Sequence, residues 1–167
     1  MSDDIIRQLA DRQAITDQIH RYCRSVDRLD IPLGHSVWHE DGIADYPGYY
    51  NGPGKGVIDR ICKDHLGLLH HAHQVTNSLI ELHGQKAGSE TYCIASLRMQ
   101  RGEKLMQMMV WTRYIDSWSC RDGRWALDKR IAIREFDEIR EVTPMTTYDI
   151  GRRDRTDPSY TVLRSPA

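Results

Sequence analysis

No apolar run in the 167-residue chain approaches the roughly 20 residues of a bilayer-spanning helix. A helical membrane protein is therefore excluded. The opening Met1-Ser2-Asp3-Asp4 is acidic and does not read as a secretory leader, so a cytoplasmic protein is expected. Charge of a single sign is lacking too. The 23 Lys and Arg against 24 Asp and Glu leave a formal net charge of -1, which supplies no basic field for nucleic acid and no acidic tail. Cysteine is sparse: Cys23, Cys62, Cys93 and Cys120 are scattered without a C-x-x-C pair. That spacing argues against a zinc knuckle or a disulfide framework and predicts free thiols in a reducing compartment. Neither internal repeats nor low-complexity segments occur. With 40% hydrophobic and 28% charged residues, the chain is a globular domain large enough for a real core.

Residues 3–28 read as one helix. Asp3 and Asp4 suit its positive end. Ile5, Ile6, Leu9, Ala10, Ala14, Ile15, Ile19, Tyr22, Cys23 and Val26 recur at helical spacing as one stripe. Pro32 prevents simple continuation. A helical turn over 33–38, a strand over 42–50, a Gly-rich turn at Asn51-Gly52-Pro53-Gly54 and a second helix over 55–68 follow. From residue 71 the pattern turns to strands, 71–83, 87–100, 104–119 and 124–136, separated by tight turns that include Arg121-Asp122-Gly123. Helices followed by a curved antiparallel meander predict an α+β cone, with the sheet wrapped around the long N-terminal helix and a small-molecule pocket at its wide end. The cone is expected to occupy residues 1–140. Residues 141–167 form a polar tail that packs on the surface or on a partner subunit, or is partly disordered.

Asp27 and His73 are the candidate chemistry, because a carboxylate fixes the tautomer of an imidazole and stabilises its protonated form. Each also has a plainer reading, Asp27 as a surface acid beside Arg24 or Arg28 and His73 as a hydrogen-bonded structural histidine. Tyr22 is either a proton donor or a core tyrosine. Trp38, Tyr46, Tyr49 and Tyr50 either line an aromatic pocket or belong to the core. Arg130, and less strongly Arg113, either bind a substrate oxygen or pair with an acid across the sheet. In the run His70-His71-Ala72-His73, only His71 and His73 share a strand face, with no acid or thiol at ligand spacing beside them, so no metal is expected.

Taken together, Tyr22-x4-Asp27 closing the first helix, Val37-Trp38-His39-Glu40-Asp41 leading into a strand, His73-x3-Asn77, and Trp125 with Arg130 on the last strand resemble the SnoaL-like enzyme branch of the nuclear transport factor 2-like superfamily. The resemblance covers roughly residues 5–140. Tyr22 and Asp27 match the pattern of bile acid dehydratase. Asp27, His73, Asn77 and Arg130 look like the positions used by hexachlorocyclohexane dehydrochlorinase, which has a Lys where Tyr22 stands here. Scytalone dehydratase and a lignin-dimer formaldehyde lyase share the superfamily. The resemblance implies a cofactor-independent lyase acting on an apolar, aromatic small molecule, by β-elimination of water or by carbon–carbon cleavage that releases formaldehyde from a phenolic lignin-type dimer. Its site residues would be His73, Asp27, Tyr22 and Arg130, with Trp38, Tyr46, Tyr49, Tyr50, Asn77 and Arg113 binding substrate. An isomerase or cyclase in the same pocket, and a non-catalytic ligand carrier or structural subunit, stay open. A homo-oligomer, dimer or trimer, is expected from the outer sheet face.

Overall fold

A computed structural model describes residues 2–145 and 151–163. Helices α1 (Ser2–Arg28), α2 (Ile31–Ser36) and α3 (Gly54–His65) precede and interleave with strands β1 (Trp38–Tyr46) and β2 (Tyr50–Pro53). Four long strands follow, β3 (His70–His83), β4 (Lys86–Arg101), β5 (Lys104–Arg121) and β6 (Arg124–Glu141), and then a short α4 (Ser159–Val162). The sheet order is β2-β1-β6-β5-β4-β3. The four long strands pair antiparallel in sequence order, as tight turns between them require.

The sheet is mixed, not purely antiparallel as the meander pattern predicts, because β1 lies parallel to β6. The crossover between them contains β2, α3 and strands β3 to β5, a long connection of the kind that parallel neighbours need. The first strand also starts earlier than the sequence pattern suggests. It begins at Trp38, directly after α2, and turns at Pro47-Gly48, where Gly48 holds φ +77°. The glycines at 52 and 54, read as a turn, instead end β2 and open α3. Gly42, read as a strand start, lies in the irregularity between Trp38 and Ile43, where a Cβ would stand 2.8 Å from the Leu127 carbonyl oxygen.

The core fills the space between α1, α3 and the concave sheet face. Ile15, Ile19, Tyr22 and Val26 of the α1 stripe are buried in it, beside Val57, Ile58 and Ile61 of α3. Ile5, Ile6 and Leu9, at the start of the same stripe, remain exposed. Helix α1 is fastened to the sheet by the Trp125 Nε1–H donating to Asp11 at 2.7 Å and by Arg12 donating to the Ile80 carbonyl. In the described part of the tail, Tyr160 donates its phenol to Asp30 at 2.8 Å, and Arg153 donates to the carbonyls of His65 and Leu68 at the end of α3. Those contacts tie the described part of the tail to the segments that follow α1 and α3. No helix among the described residues is long and apolar enough to cross a membrane.

Trp38 packs flat on the start of α3. A Cβ on Gly54 would lie 2.1 Å from Trp38 Cε3. Gly54→Ala should therefore overpack this contact and lower unfolding free energy by about 1–3 kcal/mol. Urea denaturation checks this, and an unchanged midpoint would show that the ring moves aside freely.

Candidate active site

One carboxylate joins the last turn of α1 to the start of β3. Helix α1 stops in a Schellman turn. The Asp30 N–H donates to the Ser25 carbonyl at 2.8 Å and the Leu29 N–H to the Val26 carbonyl at 3.4 Å, with Leu29 at φ +53° where glycine is usual. The turn leaves Asp27 beside β3. Asp27 Oδ1 accepts the His73 Nδ1–H at 2.7 Å, and Oδ2 accepts the His73 backbone N–H at 3.0 Å. Both side chains are largely shielded, at 13% and 9% exposure. An ionised carboxylate can only accept, so the proton sits on Nδ1 and Nε2 keeps its lone pair. Among the described residues nothing bonds to Nε2. Two residues earlier, His71 donates from Nε2 to the carbonyl of Val26, another group in the last turn of α1.

His73 forms part of the wall of a cavity of about 340 Å³. Tyr22, Tyr46, His65, Tyr114 and Arg134 add polar groups to that wall. Ile61, Ala95, Leu97, Met108, Val110 and Ala132 make it predominantly apolar. The Tyr22 and Tyr46 hydroxyls share a hydrogen bond of 2.5 Å. Burial raises the pKa of both phenols, so they remain protonated donors at neutral pH. Behind them Arg130 and Asp116 form a fully buried two-pronged ion pair, each N–O distance 2.7 Å. The guanidinium carbon of Arg130 lies 4.2 Å from the Tyr22 ring centre and 4.0 Å from that of Tyr114.

These surroundings separate the histidines electrostatically. Burial pulls the His73 pKa down, but the hydrogen bond and charge of Asp27 outweigh it, and the net shift is upward. His65 has no such acid. Burial, reinforced by His71 and His73, lowers it to about 4, so it stays neutral. Burial likewise lowers His71. Among the described residues no three His, Cys, Asp or Glu side chains converge as a metal site.

The profile of the SnoaL-like domain family matches residues 7–131. The chain belongs to this family, within the nuclear transport factor 2-like superfamily. No curated protein matches it. Among solved structures it is similar to LinA, with 21% identity, 90% of this chain and 99% of that one covered, and a TM-score of 0.72. The hexachlorocyclohexane dehydrochlorinase LinA-type3 from Novosphingobium barchaimii is 17% identical, with coverages of 87% and 99% and a TM-score of 0.72. A candidate scytalone dehydratase from Novosphingobium aromaticivorans is 16% identical, with coverages of 89% and 100% and a TM-score of 0.70. At these identities the likeness establishes the fold.

Within this SnoaL-like fold the residues singled out from sequence divide into two groups. Asp27 and His73 meet, and His73, Tyr22, Tyr46 and Tyr49 line the cavity. Arg130 does not line it, since its guanidinium is turned to Asp116 beneath the tyrosine rings. Trp38 is core, packed on Gly54, and Tyr50 donates its hydroxyl to the Pro53 carbonyl away from the cavity. Asn77 is exposed because the β3–β4 pairing is irregular between Val75 and Ser78, which breaks the alternation that would have kept it on the face of His73. Arg113 lies on the outer face, paired with Glu90 and Glu135, since its neighbours Thr112 and Tyr114 point into the cavity.

His65, Arg134 and Tyr114 are among the wall residues that escaped the sequence reading. His65 is four residues after Ile61 on the buried face of α3, and Arg134 follows Arg130 and Ala132 at the two-residue period of β6. Tyr114 stands at the same period as Val110 and Thr112 on β5. Those spacings were the available signals.

Because the folded pKa of His73 is raised, its protonation stabilises the fold. The increment is fully present below the unfolded value near 6.5 and is lost as pH rises through the folded value. His65 acts oppositely: as pH falls from about 6.5 toward about 4, the unfolded chain takes up its proton first and stability drops. In Asp27→Asn the opposing charge is gone and burial governs His73. An NMR titration should then find its imidazole below about 6.5, against a value above it in the wild type. An unmoved His73 would show that Asp27 does not set it.

Proposed function

We propose that this protein is a cofactor-independent lyase for an apolar, aromatic small molecule, and that its favoured reaction is β-elimination of water. The observation that supports this most is the Asp27–His73 hydrogen bond at the wall of a largely apolar cavity, with the His73 Nε2 lone pair unengaged. Every group that the step needs is a side chain. His73 Nε2 takes the proton from the carbon next to a carbonyl. The electron pair passes into the carbonyl, and the developing oxyanion accepts a hydrogen bond from the Tyr22–Tyr46 pair, in which one hydroxyl donates to the other and the second proton is free for the substrate. As the electrons return to form the carbon–carbon double bond, the β-hydroxyl departs as water with the proton carried by His73. Arg130 is a positioning group: its charge sits behind the Tyr22 and Tyr114 rings, and Asp116 keeps it there. A variant of the same chemistry deprotonates a phenol para to a benzylic alcohol, and the benzylic hydroxyl leaves as water to give a quinone methide. Loss of formaldehyde from the adjoining hydroxymethyl carbon then returns the electron pair to the ring, leaving a stilbene. The dehydrochlorinase and the candidate dehydratase among the structural neighbours are named for eliminations of related kind.

The test is a substrate panel. β-Hydroxy aryl ketones give a conjugated enone on dehydration, and a phenolic diarylpropane-1,3-diol gives formaldehyde on cleavage. Once turnover is found, His73→Ala should lower kcat by about 10²–10⁴, and Tyr22→Phe by about 10²–10³. Wild-type turnover by His73→Ala would overturn the assignment. Proton exchange into substrate without release of water or aldehyde would instead identify an isomerase using the same base.

A further inference from the structure

Among the described residues the cavity wall contains no aspartate or glutamate side chain, and Arg134 is its one Arg or Lys. Arg134 lies on β6 opposite Thr112 of β5, which also lines the cavity. It sits immediately before the irregularity in the β5–β6 pairing, at the wet mouth, with 64% of its side chain exposed. Its ion pair with Asp137 uses Nη1 alone, at 3.1 Å.

The register sets the distance from the base. His73 pairs with Ala95, Ala95 with Val110, and Val110 with Asp137. Three inter-strand steps, about 14 Å along the curved sheet, therefore separate His73 from the stretch of β6 that carries Arg134. The side chains of His73 and Arg134 both reach into the intervening space, which is walled by Ala95, Val110 and Ala132. What fits is a flat apolar body of one or two rings, with its reacting carbon at His73 and an anion at the far end.

From this arrangement we infer that Arg134 anchors a carboxylate on the substrate, and that the substrate class is an aromatic carboxylic acid. The inference rests on the lyase reading for the placement of the reacting carbon at His73. A planar guanidinium with unused donors suits a carboxylate, because two parallel N–H···O bonds match its geometry. The same fork gives a neutral amide or ester no charge to pair with. Asp137 steadies the guanidinium and competes with the incoming anion.

The experiment is equilibrium binding by calorimetry, which needs no turnover. The probes are 2-naphthoate, 2-naphthamide and 2-naphthol below its pKa. Wild-type protein should bind 2-naphthoate about five- to tenfold more tightly than 2-naphthamide, the range of one half-exposed charge-assisted contact. Arg134→Gln should bring the two to parity, Arg134→Lys should keep part of the preference, and Asp137→Asn should enlarge it. Arg134 is exposed, so these variants keep the fold, which circular dichroism confirms. Equal or absent binding of naphthoate and naphthamide by the wild type, or a preference that survives Arg134→Gln, would overturn the anchor, as would naphthol matching naphthoate. His73→Ala separates this inference from the lyase reading. If it keeps the naphthoate preference and also full turnover, the anchor stands and the lyase assignment falls; if turnover collapses while Arg134→Gln binds like the wild type, the reverse holds.

Discussion

The bond between Asp27 and His73 is the constraint on which both the fold and the cavity depend. An acid in the last turn of a helix faces the negative end of the dipole, a placement disfavoured by a few tenths to about 1 kcal/mol. The carboxylate compensates by taking two N–H donors from a single residue of β3, one from the ring and one from the backbone. The neighbouring His71 adds a third link, from its ring to the Val26 carbonyl. The end of α1 is thereby locked to the edge strand of the sheet beside the cavity wall that His73 forms. The strained Leu29 turn makes sense in this light, since it ends the helix where the acid must sit. Folding and the proposed chemistry use the same atoms, so Asp27 cannot be exchanged without disturbing both.

The second organising element is the buried Arg130–Asp116 pair. Such a pair is a poor source of net stability, because desolvating two charges costs about as much as their attraction returns. Its position suggests what it does instead. It places a permanent positive charge under Tyr22 and Tyr114, stacked against their ring faces. The charge opposes the upward shift that burial imposes on the Tyr22 phenol, which favours donation to a developing anion. Asp116, held by both prongs, prevents the guanidinium from swinging into the cavity. Asp27 and Arg130 thus face the pocket through intermediaries, an imidazole in one case and a phenol in the other.

Features with a local cause were the ones legible in the sequence. The second half of the α1 stripe, from Ile15 to Val26, and the tight turns of the meander follow from short-range sterics and side-chain period, and they recur in the structure. The parallel pairing of β1 with β6 was not legible, because it joins residues far apart in the chain with no turn between them to declare it. Asn77 was carried over from the His73-x3-Asn77 family spacing, and one irregularity in β3 leaves it exposed. Arg130 had two readings open, and the register of Asp116 directly opposite it decides for the cross-strand ion pair. Asp27 and His73 came together only through family spacing, since nothing local to either residue points to the other.

Alternation along β5 and β6 also separates the cavity lining from the outer ladder of the sheet. Met108, Val110, Thr112 and Tyr114 on β5, with Ala132 and Arg134 on β6, face the cavity. Outward-facing residues between them make their own contacts, such as the stacked Trp111 and Phe136, whose ring centres are 4.6 Å apart, and the Arg113 pairs. A change on the inner face leaves the outer ladder intact, because successive side chains point to opposite sides. The Asp27–His73 pair, by contrast, is tied to a helix end and an edge strand, outside these two strands. The shape and charge of the cavity lining can therefore be altered on β5 and β6 without touching the groups that hold α1 to the sheet. That separation fits a fold shared with neighbours of 16–21% identity that carry different names.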